Sequence, residues 1–128
     1  MARPKAPELT ERELEIMRVF WDEGSLTAQQ ARDHFEDRGG PNLAYTTVAT
    51  LIRILIEKGF LKQTTFERPF VYEAVRSFDE VSGKLLNHLV KQLFDGSREK
   101  VLVSLFGRQK LTQKERKALQ QILQEKKK

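Results

Sequence analysis

The chain has 128 residues, 39% of them hydrophobic and 32% charged, with a formal net charge of +5 and no cysteine. That composition suits one globular domain or two small ones. It leaves no disulfide or thiolate metal site and fits a reducing cytoplasm. No apolar run approaches a membrane span, and MARPKAPELTERE lacks the apolar centre of a signal peptide. The charge is unevenly placed. Residues 1–76 hold 11 Lys/Arg against 12 Asp/Glu, and residues 77–128 hold 12 against 6. Within the first part, 8–37 carries 3 basic and 9 acidic groups, whereas 42–76 carries 5 and 3. An acidic back and a mildly basic front suit a domain that meets phosphate in one orientation, with weak affinity per protomer.

Residues 1–8 have two prolines and no periodic pattern, and read as a flexible arm whose Arg3 and Lys5 could touch a phosphate backbone. Thr10 and Glu13 have capping-box spacing, with Leu9 and Leu14 at the staple positions, and start a helix that Gly24 stops. Its inward set is Leu14, Ile16, Met17, Phe20 and Trp21, with Trp21 expected to contribute most burial. Ser25-Leu26 is a bridge to a second helix, opened by Thr27 with Gln30 and running to Asp37, with Ala28, Ala31 and Phe35 inward. Gly39-Gly40-Pro41 breaks it.

The next stretch, NLAYTTVATLIRILIEKG from Asn42 to Gly59, organises the rest. On a helix from Tyr45, Val48, Leu51, Ile52 and Leu55 form one apolar stripe. The opposite face carries Thr46, Thr50 and Arg53 at i, i+4 and i+7, with small Ala49 beside them. Short hydroxyls let a helix backbone lie deep in a major groove, and Arg matches guanine O6 and N7. Gly59 supplies the left-handed residue that ends such a helix. An amphipathic helix with Thr and Arg facing water has the same pattern, so the neighbours decide.

After Gly59 the period changes. Phe60–Phe66 and Phe70–Val75 are β-prone runs separated by Glu67-Arg68-Pro69, a two-stranded hairpin that turns the preceding helices into a winged helix. Arg68 falls at its tip, within reach of phosphate or a minor groove. From Ser77 the chain is helical again. One helix carries Val81, Leu85, Leu86, Leu89, Val90, Leu93 and Phe94, and a second, opened by Ser97, carries Val101, Leu102, Leu105 and Phe106. A third begins at Leu111-Thr112 with Glu115 and carries Leu119, Ile122 and Leu123. These helices hold more apolar surface than so small a unit can hide, and a twofold partner presenting the same surface is the economical solution. The fold class is therefore mainly α with a small β-hairpin wing: a winged helix-turn-helix over 9–76 and a three-helix dimerisation region over 77–128. Leu86, Leu89, Val90, Leu93 and Phe94 form the expected interface on its first helix, with Val101, Leu102, Leu105, Leu119, Ile122 and Leu123 on the other two.

With the wing placed, the chain resembles the penicillinase-repressor (BlaI/MecI) family of bacterial winged-helix regulators. The resemblance is carried by LTERELEIMRVFWDEG at 9–24, LAYTTVATLIRILIEKGFL at 43–61, RPFVY at 68–72 and FDGS at 94–97, and it spans about 9–123. It implies a homodimer that binds an inverted-repeat operator, blocks transcription and dimerises through its C-terminal helices. Position by position, it implies that Tyr45, Thr46, Thr47, Thr50 and Arg53 lie at the DNA, with Arg68 on the wing. The sequence departs from the family in three places. Ile54 stands where relatives commonly have Arg, and Glu67 where they often have Gly at the wing tip. Members in the antibiotic-response pathway are inactivated by an antirepressor protease that cuts between Asn and Phe in the fifth helix; the matching positions here are Ser104-Leu105. A copper-sensing branch uses C-terminal cysteines, which are absent here.

The expected function is a dimeric operator-binding repressor, released by cleavage near Ser104. The alternative is a winged-helix protein–protein interaction module without DNA binding, which the modest charge of 42–76 favours and the small polar face of the 45–58 helix disfavours. No enzyme, catalytic residue, metal or cofactor is expected. His34 and His88 lie far apart on separate helices, and there is no Gly-rich phosphate loop or metal-ligand spacing.

Overall fold

The computed structural model describes residues 9–126; the expected arm, with Arg3 and Lys5, lies outside them, as do Lys127 and Lys128. Six helices and three short strands follow in the order α1 Glu11–Glu23, β1 Leu26–Thr27, α2 Ala28–Asp37, α3 Tyr45–Glu57, β2 Leu61–Gln63, β3 Val71–Ala74, α4 Phe78–Phe94, α5 Arg98–Phe106 and α6 Gln113–Lys126. The chain divides into two compact units, residues 1–85 and 86–128, so that α4 begins in one and ends in the other.

In the first unit, α1, α2 and α3 pack around Ile16, Met17, Val19, Phe20, Ala31, Phe35, Val48, Ile52 and Leu55. Both expected capping boxes form. Thr10 accepts the Glu13 amide at 3.1 Å while Glu13 accepts the Thr10 amide at 3.0 Å, and Thr27 with Gln30 repeats the pattern. Phe60 N–H reaches Leu55 O at 2.9 Å and Gly59 N–H reaches Ile56 O at 3.0 Å, with Gly59 at φ +88°. That is a Schellman ending, which needs the left-handed residue read from the sequence. Gly40 is required for a different reason, since a Cβ there would lie 2.6 Å from the Phe35 ring.

Three expectations are corrected. The expected wing hairpin forms as β2 and β3, but Leu26–Thr27 adds a third strand to it, giving an antiparallel sheet in the order β1-β3-β2 with Leu26 opposite Tyr72 and Leu61 opposite Ala74. Thr27 makes this possible. Its extended backbone, φ −78° and ψ 167°, serves both an N-cap and a strand residue, so the predicted bridge becomes an edge strand. The wing strands are shorter than predicted, and 64–70 form its loop, with Phe66 85% exposed. Trp21 is only partly buried, whereas Phe20, Ile16, Met17 and Val19 are fully buried. The Trp21 indole N–H donates to Arg76 O at 2.9 Å, and its ring meets Phe78 edge-on at 5.4 Å. A Trp with a polar edge to satisfy sits at a core's rim more readily than at its centre.

In the second unit, Ser97 and Thr112 cap α5 and α6 as expected. None of its helical residues beyond 86 is fully buried, and Leu86, Leu89, Leu93, Leu102, Val103, Leu105, Ile122 and Leu123 are at least half exposed. Between α5 and α6 lies an open apolar groove of about 940 Å³, lined by Leu102, Val103, Phe106, Leu111, Leu119, Ile122 and Leu123.

Candidate nucleic-acid interface

The 45–57 helix is held from beneath by Val48, Ile52 and Leu55, which are 0%, 2% and 0% exposed. Tyr45, Thr46, Thr47, Thr50 and Arg53 are all exposed on its outer side. Two contacts fix how the helix is aimed. At its start, Arg32 of α2 donates to Leu43 O at 2.6 Å and to Asn42 Oδ1 at 3.1 Å, tying down the loop that leads into it. At its end, Lys58 donates to the nearly buried Glu13 at 2.8 Å, joining the C-cap of α3 to the first turn of α1. Burial works to raise the Glu13 pKa. The Lys58 and Thr10 hydrogen bonds outweigh it, so the carboxyl lies below its ordinary value.

The N-terminus of α3 differs from the rest. Every other helix starts on a Ser or Thr side chain: Thr10, Thr27, Ser77, Ser97 or Thr112. Here Ala44 occupies the cap position and provides no side-chain hydrogen bond. First-turn amides left without a capping side chain can receive an anion.

Arg68 does not stand off at a free tip. Its guanidinium stacks on Phe70 at 5.2 Å, and a cavity of about 390 Å³ gathers Arg68, Pro69, Phe70 and Tyr72 from the wing, Tyr45 from α3, and Thr27, Ala28 and Gln29 from the start of α2. Burial, reinforced by nearby Tyr45 and opposed by Arg68, raises the Tyr72 pKa, so its hydroxyl stays a neutral donor. The structure thus brings Tyr45 and Arg68 together at one place and puts Thr46, Thr50 and Arg53 along the helix beyond it. Sequence reading missed Tyr72 and Gln29 in this cluster, since only strand pairing across Leu26 and Gln63 brings Tyr72 there. It also missed Glu57, whose carboxylate holds Arg53 at 3.3 Å on the outward side. A count of i, i+4 charges would have found that pair.

Ser104 and Leu105 are both exposed within α5. Among the described residues there is no cluster of three or more His, Asp or Glu suited to hold a metal, and no helix is long and apolar enough to cross a membrane.

Three helices, a wing, and a polar helix surface presented by a buried aliphatic underside define a winged-helix transcription regulator. The comparisons with known proteins make this specific: the penicillinase repressor family matches residues 9–125, and the chain belongs to that family. It is 26% identical over 122 residues to the penicillinase repressor of Bacillus licheniformis, covering 94% of this chain and 93% of that protein. It is 29% identical over 116 residues to an uncharacterised 16.5 kDa protein of Latilactobacillus sakei, covering 91% and 78%. The solved DNA-binding domain of the repressor BlaI is similar at 26% identity with a TM-score of 0.51, covering 61% of this chain and 93% of that one.

Proposed function

We propose that the chain is a DNA-binding transcriptional repressor that acts as a homodimer on an inverted-repeat operator. The observation that carries this is α3 itself, whose aliphatic side is closed into the core while Thr46, Thr50 and Arg53 face outward. In this reading α3 enters the major groove, where Thr46, Thr47 and Thr50 meet phosphates or base edges and Arg53 meets a guanine. Tyr45, Arg68 and Tyr72 take a backbone phosphate at the cavity between α3 and the wing, with the uncapped start of α3 beside them. The similarity to a DNA-binding domain of a repressor, over the unit that contains α3, supports the same assignment.

Dimerisation is supported by the second unit, whose leucines are too exposed for a chain that stays single. Leu86, Leu89, Val90, Leu93 and Phe94 of α4 are covered by the partner, together with Val101, Leu102, Leu105, Leu119, Ile122 and Leu123 lining or flanking the α5–α6 groove. Two joined half-sites supply the effective concentration that weakly charged recognition surfaces need. Cleavage at Ser104-Leu105 by an antirepressor protease then releases the operator by removing part of that interface.

The test is titration of the protein into its own upstream DNA at two salt concentrations, with mass measured alongside. Salt-sensitive binding by a species of twice the chain mass is expected. A protein that binds no duplex at either salt concentration, or that remains monomeric at micromolar concentration, refutes the reading and leaves the interaction module in its place.

A further inference from the structure

The two units carry charge in the opposite sense to the one that DNA binding through α3 alone would lead one to expect. Residues 1–85 hold 12 Lys/Arg and 14 Asp/Glu, a net of −2, while residues 86–128 hold 11 and 4, a net of +7. In the first unit much of the positive charge is answered locally, because Arg12, Arg38, Arg53, Lys58, Lys62 and Arg76 all sit in ion pairs. In the second unit the nine Lys and Arg from Lys91 to Lys126 are all exposed, and none forms an ion pair among the described residues. Five of them, Arg108, Lys110, Lys114, Arg116 and Lys117, fall within ten residues that contain one carboxylate. That carboxylate, Glu115, is already engaged, accepting the Thr112 amide at 2.9 Å in the α6 capping box. Lys114 lies in the first turn of α6, and Arg98 and Lys100 lie in the first turn of α5, where the helix dipole favours carboxylates and disfavours cations. One carboxylate stands in each of those turns, Glu99 in α5 and Glu115 in α6, against two cations in each.

We propose that Arg108, Lys110, Lys114 and Lys117, the last two sharing a face of α6 at i and i+3, form a second DNA-contacting surface, which takes the phosphate backbone of duplex DNA without regard to sequence. It provides the long-range attraction that the net-negative first unit lacks. The inference rests on the reading of the chain as a DNA-binding protein, but assigns the contact to a different part of the chain. A polyanion with regularly spaced phosphates matches a run of unpaired cations flanking a helix start better than an acidic protein does. An acidic protein has its own cations, and the surface here offers few carboxylates to pair with them.

The experiment uses the full chain and the combined variant Lys110→Gln, Lys114→Gln, Lys117→Gln, with Arg108→Gln, outside any helix, as an independent second variant. Affinity for the protein's own upstream DNA and for a random-sequence duplex is measured across a salt series, with mass and thermal midpoint recorded. The triple variant should lower the slope of log affinity against log salt by about 0.9 per lost phosphate contact, up to about 2.7, and Arg108→Gln by about 0.9. Mass should be unchanged, and affinity should fall by the same factor on operator and random DNA. If wild-type protein binds duplex and both variants keep its slope and affinity, the inference is overturned while the recognition-helix reading stands. If wild-type protein binds no duplex, both fall together.

Discussion

Arg53 offers the sharpest test of the recognition surface. Its side chain is 63% exposed and holds Glu57 Oε2 at 3.3 Å. An exposed i, i+4 pair of this kind contributes about 0.3–0.5 kcal/mol. A bidentate guanidinium–guanine contact is worth about 1–3 kcal/mol of discrimination. The helical pair is therefore too weak to withhold Arg53 from a base. Replacing Arg53 with Ala should weaken each half-site by about 1–3 kcal/mol, or roughly 5- to 150-fold, and relax preference at one base position. Fold stability should shift by less than about 0.5 kcal/mol, because the residue lies on the surface away from the core. Fluorescence anisotropy on operator and on random duplex, with a thermal melt of each variant, separates the possibilities. A loss confined to the operator assigns Arg53 to a base, and an equal loss on both duplexes assigns it to a phosphate. Unchanged affinity on both, in a folded variant, would falsify the placement of α3 in the groove by this face. Glu57→Gln should act in the opposite direction and tighten binding to any duplex, since it removes a carboxylate from the same surface.

The remaining expectations concern the frame and the partner. Because the Glu13 pKa is lowered, its pair with Lys58 stabilises the fold above the carboxyl's unfolded value, and that stabilisation is lost as pH falls through the folded one. Glu13→Gln, which can keep the N3 cap bond, should cost on the order of 1 kcal/mol at neutral pH in a urea melt. The gap from wild type should close in acid; a gap that persists there contradicts the ion-pair account. Leu89→Glu combined with Leu93→Glu should give monomers by analytical ultracentrifugation at micromolar concentration and strongly weaken operator binding, while the near-UV spectrum from Trp21 is retained. Dimers of normal mass would move the interface elsewhere. A chain ending at Val103 should lose both dimerisation and tight operator binding, and one that keeps both would eliminate release by cleavage near Ser104.

The fold was legible wherever the cause is local. Hydroxyl caps with an acid or amide three residues on mark helix starts because the reciprocal bonds involve neighbours in sequence, and Thr10, Thr27, Ser77 and Thr112 all begin helices. Gly59 is equally readable, since the left-handed turn it makes is closed by hydrogen bonds between residues three and five positions apart. Leu26–Thr27 was not readable as a strand. Two residues carry no period, and their pairing with Val71 and Tyr72 depends on how the two helices between them, α2 and α3, fold. The exposure of Trp21 was hidden for a related reason: size predicts the area a ring can bury, while its position at the rim is set by Arg76 and Phe78, more than fifty residues away.

The candidate site divides along the same line, and this bears on how its specificity is built. The outward row Thr46, Thr50, Arg53 follows from helical spacing alone, because the opposite row Val48, Ile52, Leu55 has one place to go. What aims that row is not in α3 at all. Arg32 fixes the approach to its first turn and Glu13 holds its last residue through Lys58, so the helix is clamped at both ends by residues from α2 and α1. Tyr72 joins Tyr45 and Arg68 through sheet register. Residues of the outward row can thus change without disturbing how the helix is presented. Changes at Glu13, Arg32 or Lys58 would instead tilt the whole face and weaken discrimination at every base position together. The two kinds of variant are distinguishable by the ratio of operator to random-duplex affinity: a base-facing change alters that ratio at one position, and a loosened clamp erodes it at all of them.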